Sequence, residues 1–390
     1  MASTYAGSIP VADAWPRAAH LPWYLWCSVG AVTSAMVGVL WDISWHQSIG
    51  RDTFWTPAHL AIHLCGVLAG ISCGYLILAT TFAPHSPLRA ASVRMWGFRG
   101  PLGAFIAAWG GVTMLTSAPF DNWWHDAYGL DVKILSPPHM VLAAGILAVN
   151  VGALILILGY MNRASGQQKA RLRALFLYVG GMILVVLTTV SLELTSRVYM
   201  HNAKFYRVVA TLAPLVLAGV ARAARYKWAA TAVAGVYMVF VLLMDWILPL
   251  FPAVPKLGPV LYPVTHFVPS GFPMLLIVPA FFLDLLWQRT EKWGAWKQSL
   301  VSGVVFLATY AAVQWPFAAF LMSPAARNWF FSTIYFGYNT NPLSLYARYQ
   351  FVPGESSGVF WREAALALLI AVLTIRLALA GGDRLRRIQR

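Results

Sequence analysis

Long apolar runs, each close to the ~20 residues a helix needs to cross the hydrocarbon of a bilayer, alternate with short polar connections along nearly the whole chain. In lipid a backbone can satisfy its own polar groups only as a helix or inside a closed barrel, and runs this long without strict alternation are helical. The predicted spans cover 23–44, 58–83, 101–119, 137–160, 174–194, 205–221, 228–250, 259–287, 298–322 and 361–380. The expected fold class is therefore all-α, a polytopic transmembrane helical bundle of about ten spans. Composition excludes a soluble enzyme: 59% of the residues are hydrophobic and 11% charged, too few charges to cover a water-facing surface.

The formal net charge of +15 would raise nucleic-acid binding for a soluble chain, but here it follows the topology. Arg89, Arg94 and Arg99 follow the second predicted span, Arg163, Lys169, Arg171 and Arg173 the fourth, and Arg222, Arg225 and Lys227 the sixth. Arg289, Lys292 and Lys297 follow the eighth, and Arg384, Arg386, Arg387 and Arg390 the tenth. The positive-inside rule then puts both termini and the even exits in the cytoplasm of a multi-pass inner-membrane protein, with the odd exits facing outward. The first apolar segment continues into WDISWH without a small-residue cleavage pattern, so it is expected to be a retained helix. Cys27, Cys65 and Cys73 fall inside predicted spans and are expected to be small buried apolar residues. No GxxxxGK or GxGxxG pattern supports nucleotide-driven transport.

Two outward turns carry the informative residues. The first, WDISWHQSIGRDTFWTPAHLAIH, covers 41–63, and the second, DNWWHDAYGLDVKILSPPH, covers 121–139. Asp42 stands four residues before His46 and Asp121 four before His125, each histidine preceded by a Trp, Trp45 or Trp124. A GxD follows at the same offset, Gly50 to Asp52 and Gly129 to Asp131, and then a proline with a second histidine, Pro57 with His59 and Pro138 with His139. This is a parallel internal repeat of about 79 residues, each unit a helical hairpin. Asp and His one helical turn apart share a face, and a proline-started return helix brings the second His back to the same level. Three N/O ligands with an open position make a reactive metal site for copper, iron or zinc. His63, one turn after His59, is a candidate extra ligand or a hydrogen-bonding neighbour of the ligands. Asp52, Asp126 and Asp131 are expected to cap helices or orient histidines.

These motifs resemble the C subunit of the copper membrane monooxygenases, the particulate methane and ammonia monooxygenase family: DxxxH followed by RDTFWTPAH, then WWH and SPPH in a second turn, over residues 40 to about 150. The resemblance implies one copper site at Asp42, His46 and His59 and a second at Asp121, His125 and His139. Asp121 departs from the family's Asn, and a carboxylate favours a harder or more highly charged ion. Residues 200–390 resemble the family's membrane-embedded A subunit more loosely, through LAPLVLAGVARAARYKW, QWPFAAF and YFGYNTNP. Two modules are expected, 1–200 C-subunit-like and 201–390 A-subunit-like. Nothing resembles the family's soluble cupredoxin-bearing B subunit, so that partner would be a separate chain. The resemblance further implies copper, O2 and a quinol, a small apolar substrate or ammonia, and a homo-oligomer, a trimer by family precedent.

Other polar residues extend the same outward layer. Glu193 is a candidate ligand or proton carrier, although a pairing with Arg197 one turn away is favoured; Tyr199, His201, Asp245, Trp246 and His266 lie at that level, and Asp284 is expected to be a helix-end residue. The segment 323–360 carries Trp329, Phe330, Phe331, Tyr335, Tyr338, Tyr346 and Tyr349 and is expected to be an interfacial cap or a docking surface for a partner subunit. Two functions fit: a copper-dependent membrane monooxygenase, or a subunit that binds and passes on copper without turnover. A secondary transporter ranks last, because no interrupted helix is evident from the sequence.

Overall fold

The computed structural model of the chain describes residues 21–50, 52–85, 87–129, 134–256, 264–333 and 354–389. It is an all-α multi-pass membrane bundle. The helices are α1 (Trp23–Ser48), α2 (Pro57–Phe82), α3 (Leu102–Tyr128), α4 (Pro137–Arg163), α5 (Gly166–Val190), one-turn α6 (Leu192–Thr195), α7 (Ala203–Ala224), α8 (Ala229–Ile247), α9 (Ile277–Arg289), α10 (Ala295–Leu321) and α11 (Ser357–Leu385). Nine of the described helices are long and apolar enough to cross a membrane, α8 together with the turn that continues it to Leu250. A two-stranded hairpin, β1 (Val93–Met95) with β2 (Phe98–Gly100), links α2 to α3.

The internal repeat is visible as two hairpins, α1–α2 and α3–α4. In each, the first helix ends at a glycine with φ near +86°, Gly50 (86°) and Gly129 (85°), a left-handed turn any other L-residue would resist. In each, a proline opens the return helix, Pro57 or Pro137. The hairpins close tightly through small residues, as membrane helices do in the absence of a hydrophobic drive between them. A Cβ on Gly103 would lie 2.4 Å from the Gly152 carbonyl oxygen, and one on Gly38 only 2.8 Å from the Ala58 carbonyl oxygen. Gly38 is one turn before Asp42, so this contact sets the separation of the two helices that supply the first motif.

The eighth predicted span is corrected. Instead of a helix over 259–287, the described part runs as extended and irregular backbone from Val264 to Met274, and helix α9 begins only at Ile277. The reason is local: Pro269 and Pro273 lack N–H donors and push the residues before them out of the helical region, and Gly271 sits at φ +117°. Thirteen helical residues reach about 20 Å, short of a crossing. The non-helical backbone is satisfied by neighbours, as it must be at this depth. Val268 N–H donates to Ser48 Oγ (2.7 Å), Gly271 N–H to Asp245 Oδ1 (3.4 Å), Met274 N–H to the Tyr237 hydroxyl (3.0 Å) and Leu275 N–H to Gln314 Oε1 (2.9 Å). Ser44 Oγ donates to the Val268 carbonyl (2.6 Å) and Trp45 packs on Phe267, so the second half of the chain braces the end of α1 that carries the first motif. The bundle therefore contains an interrupted span beside a buried acid, which the sequence reading had taken to be missing.

The basic residues gather at the opposite end. Arg222 forks onto Asp383 (2.7 and 3.2 Å), Arg386 joins the same carboxylate (3.2 Å), and Asn162 on α4 donates to the carbonyls of Leu385 and Ile388. Asp284 proves to be a helix-end residue of a particular kind: from α9 it accepts the N–H groups of Ala230 and Thr231 and the Thr231 hydroxyl, capping the start of α8.

Candidate metal centre

The last two turns of α1 present Asp42 and His46 on one face, and the first turn of α2 returns His59 to them. A tight turn makes the return, with Thr53 N–H donating to Thr56 Oγ1 and that hydroxyl donating back to the Thr53 carbonyl. His59 Nδ1 lies 2.9 Å from the same carbonyl. A ring held this way donates through Nδ1 and leaves Nε2 as the free donor atom. Nε2 faces Asp42 Oδ1 at 3.2 Å and Asp52 Oδ2 at 3.0 Å, while His46 Nε2 lies 3.7 Å from Asp42 Oδ2 and 3.4 Å from Asp52 Oδ2.

Asp52 thus enters the cluster itself, its Oδ2 within hydrogen-bond distance of both imidazoles. Asp42, His46 and Asp52 offer donor atoms within 4.8 Å of one another. Burial works against the charge of Asp52, yet the hydrogen bonds and positive charge of His46 and His59 outweigh it and hold its carboxyl well below the ordinary carboxylate range. The sequence signal for this was the GxD offset: the left-handed Gly50 turns the chain so that the acid two residues on points back at α1.

The second hairpin repeats the arrangement. Asp121 Oδ2 is 3.3 Å from His125 Nε2 and Asp121 Oδ1 is 3.6 Å from His139 Nε2. His125 Nδ1 lies 3.3 Å from the carbonyl of the left-handed Gly129, again presenting Nε2. Asp131, the counterpart of Asp52, lies outside the described residues. Asp126 accepts a hydrogen bond from the Asn122 side-chain amide at 3.3 Å.

The donor chemistry fits a metal. Four-coordinate N/O ligands at 2.0–2.1 Å stand about 3.3 Å apart, within the 3.0–3.7 Å spread of the carboxylate-to-imidazole distances in the first cluster. Asp42 Oδ1 and Asp121 Oδ1 are buried oxygens with no hydrogen bond of good geometry, although an imidazole nitrogen lies close to each. Buried acceptors left open are costly, and an ion between them and the imidazoles would satisfy both. His63 does not join: its ring packs on Phe54 (centroids 4.7 Å) and stands 6.4 Å from the His59 ring.

Part of each cluster borders one cavity of about 450 Å³, the second through His139 alone. Asp42 and His46 line it from the first hairpin, His139 from the second, and Glu193 from α6, while most of the remaining wall is aliphatic, including Met36, Ile43, Leu142 and Ile146. Glu193 is fixed there by the Ile134 backbone N–H, which donates to Oε1 at 2.7 Å, so its carboxylate braces the second hairpin's turn where the sequence favoured a pairing with Arg197.

The other outward residues serve elsewhere. His201 stacks on Trp315 (4.6 Å) with Nε2 3.0 Å from the Trp315 carbonyl, and His266 Nδ1 lies 2.9 Å from the Thr265 hydroxyl. Trp246, Trp329 and Phe330 interlock by indole N–H donation to the Phe330 and Trp246 carbonyls, a described fragment of the aromatic cap. Tyr335, Tyr338, Tyr346 and Tyr349 lie outside the described residues. Cys65 and Cys73 are buried and Cys27 is half-buried.

Comparison of the chain with protein-family models, with curated proteins and with solved structures gives no match.

Proposed function

We propose that this chain is a copper-dependent membrane oxygenase, or the metal-holding subunit of one, that activates O2 toward a small apolar substrate. The observation that carries the reading is the shared cavity: Asp42 and His46 of the first cluster and His139 of the second, from two copies of one hairpin, border a single, mostly aliphatic space of about 450 Å³. Copper suits mixed imidazole and carboxylate donors, and when bound it would supply the one-electron chemistry that O2 activation requires. The chain's own contribution is placement. Asp42, His46, Asp52 and His59 form one donor set, and Asp121, His125 and His139 form another. The aliphatic wall admits an apolar molecule from lipid and excludes water from a reactive oxidant. Electrons would come from a quinol or small reductant, and a cupredoxin-type partner subunit would be a separate chain. We place the chain in the inner membrane with both termini and the basic end in the cytoplasm and the clusters toward the outer face.

One feature favours a second reading, copper handling without turnover. The first cluster gathers Asp42, His46 and Asp52 with His59 beside both acids, and a site closed by a fourth donor typically holds a metal where catalytic sites leave a position open. Metal analysis of the wild type beside His46→Ala and His125→Ala tests the common premise, because equal copper content in all three ends it. Oxygen consumption with a quinol and short alkanes or ammonia then separates the readings. Loss of consumption in both variants supports the oxygenase, and a metal-replete but inert wild type supports handling.

A further inference from the structure

The first functional reading leaves an unusual group unused. Asp245, near the end of α8, is fully buried (0% exposed) against the irregular stretch that replaces the expected span. Its Oδ1 meets Ser270 Oγ and Gly271 N–H, both at 3.4 Å, and the Ser332 hydroxyl and Ser270 N–H also bear on the carboxyl. A fully buried acid in a membrane bundle is costly even so, and marks an ion or proton pathway more often than a structural contact. The backbone beside it departs from the ordinary twice: Gly271 at φ +117° and Ser332 at φ +57°, the latter a left-handed conformation without the excuse of glycine. Non-helical backbone at membrane depth is tolerated where it lines a cavity.

It does line one. A second cavity of about 320 Å³ is lined by Thr188, Thr189, Thr195, Ser196, Ser270 and Ser332 among apolar residues such as Leu40, Val241 and Phe272. Its lining shares Gln47, Thr189, Leu192 and Ser196 with the mostly aliphatic cavity beside the clusters. The two spaces therefore meet at a seam that carries three polar side chains. The charged and titratable groups around Asp245 and its cavity are Tyr237, whose hydroxyl accepts the Met274 N–H, Arg197 on the wall, and Glu193 at the seam.

We propose that this cavity is the proton path of the clusters and that Asp245, which stands behind its wall and reaches it through Ser270, is the acid that feeds it. The Asp245 carboxyl gives its proton to the hydroxyl chain through Ser270 Oγ and takes one back when the relay runs the other way, the far end of the chain being Thr189 and Ser196. Each O–H bond formed along the chain is matched by one broken, so one proton moves and nothing is oxidised. The destination of that proton rests on the metal reading; the path itself does not.

Infrared difference spectra of the purified full chain during transfer from H2O to D2O test this, with Asp245→Asn, Thr189→Val and Ser196→Ala alongside and the copper content of each preparation measured. The expected result is a carboxyl C=O band that shifts in D2O, is missing from Asp245→Asn, and exchanges about tenfold more slowly in Thr189→Val, with copper content and thermal midpoint unchanged. A wild type without an exchangeable carboxyl band lost in Asp245→Asn overturns the proposal, as does unslowed exchange in both hydroxyl variants. Exchange as expected in a chain that binds no copper ends the metal reading and leaves the path standing.

Discussion

Asp52→Asn in metal-stripped protein isolates the carboxylate that draws the first cluster together. Asp52 Oδ2 lies 3.0 Å from His59 Nε2 and 3.4 Å from His46 Nε2, and its side chain is only 18% exposed. Two unit charges at 3 Å attract by about 5 kcal/mol at an effective dielectric of ~20, but desolvation leaves a charge-assisted hydrogen bond worth about 1.5–3 kcal/mol. Counting the shorter contact fully and the longer one in part gives about 2–4 kcal/mol, a fall in thermal midpoint on the order of 5 °C. The sign with pH follows from the depressed carboxyl. The unfolded chain, with an ordinary Asp near ~3.9, binds the extra proton in acid, so the stabilisation is full from about pH 5 for as long as the imidazoles stay protonated and is lost as pH falls further. Tryptophan fluorescence melts of chelated wild type and variant across that range measure the gap between them. A gap that stays constant down to acid pH, or that is missing at neutral pH, refutes the arrangement of Asp52 between two imidazoles. Adding copper to the same samples asks a separate question: a donor Asp52 predicts at least about tenfold weaker binding in the variant.

Three further outcomes are expected. Asp121→Asn should lower the affinity of the second cluster for a divalent ion by about 10–100-fold while the first keeps its metal, read as a loss of one of two binding steps in calorimetric titration. Gly103→Ala places a methyl 2.4 Å from the Gly152 carbonyl oxygen and should cost at least about 1–3 kcal/mol, seen as a lower melting midpoint; an unchanged midpoint would mean the α3–α4 contact is looser than described. Asp284→Ala removes the acceptor for two N–H groups and one hydroxyl at the start of α8 and should destabilise by about 1–2 kcal/mol, with copper content unaffected because the residue lies at the basic end.

The hairpins were legible because their determinants are local. An acid and a histidine one turn apart, a glycine after the helix and a proline before the next each fix a backbone conformation over a few residues, and the same four appear twice in register. The eighth span was misread for the opposite reason. Hydropathy records what a segment is made of, and 259–287 is apolar, but helix formation also needs N–H donors in sequence. Pro269 and Pro273, with Gly271 between them, remove them or loosen the backbone there, and composition averaged over twenty residues conceals that. Asp52 meets both imidazoles, as expected of an acid that orients histidines, but the direction that brings it there is tertiary, the path of the chain after Gly50, which spacing alone does not give. The cavity that joins the two clusters was not legible at all, since Met36, Ile43, Leu142 and Ile146 look like any other apolar residues until helices from both hairpins and Glu193 are packed around one space.

That packing bears on how the halves of the chain depend on each other. The first hairpin carries its own Asp and His residues, yet the end of α1 is held from outside: Ser44 and Ser48 exchange hydrogen bonds with Val268 at 2.6 and 2.7 Å, Lys256 N–H donates to the Ile49 carbonyl at 2.9 Å, and Trp45 rests on Phe267. All but the Lys256 contact come from the irregular stretch that also presents Ser270 and Gly271 to Asp245. A helix end that carries metal donors, if left free, would fray over its last turn. Bracing it with an extended segment fixes Asp42 and His46 and at the same time opens the hydroxyl-lined cavity behind them. The prolines that break the eighth span are thus what allow one segment to do both, which explains why the described residues 264–274 are not helical where a helix would be the cheaper way through lipid.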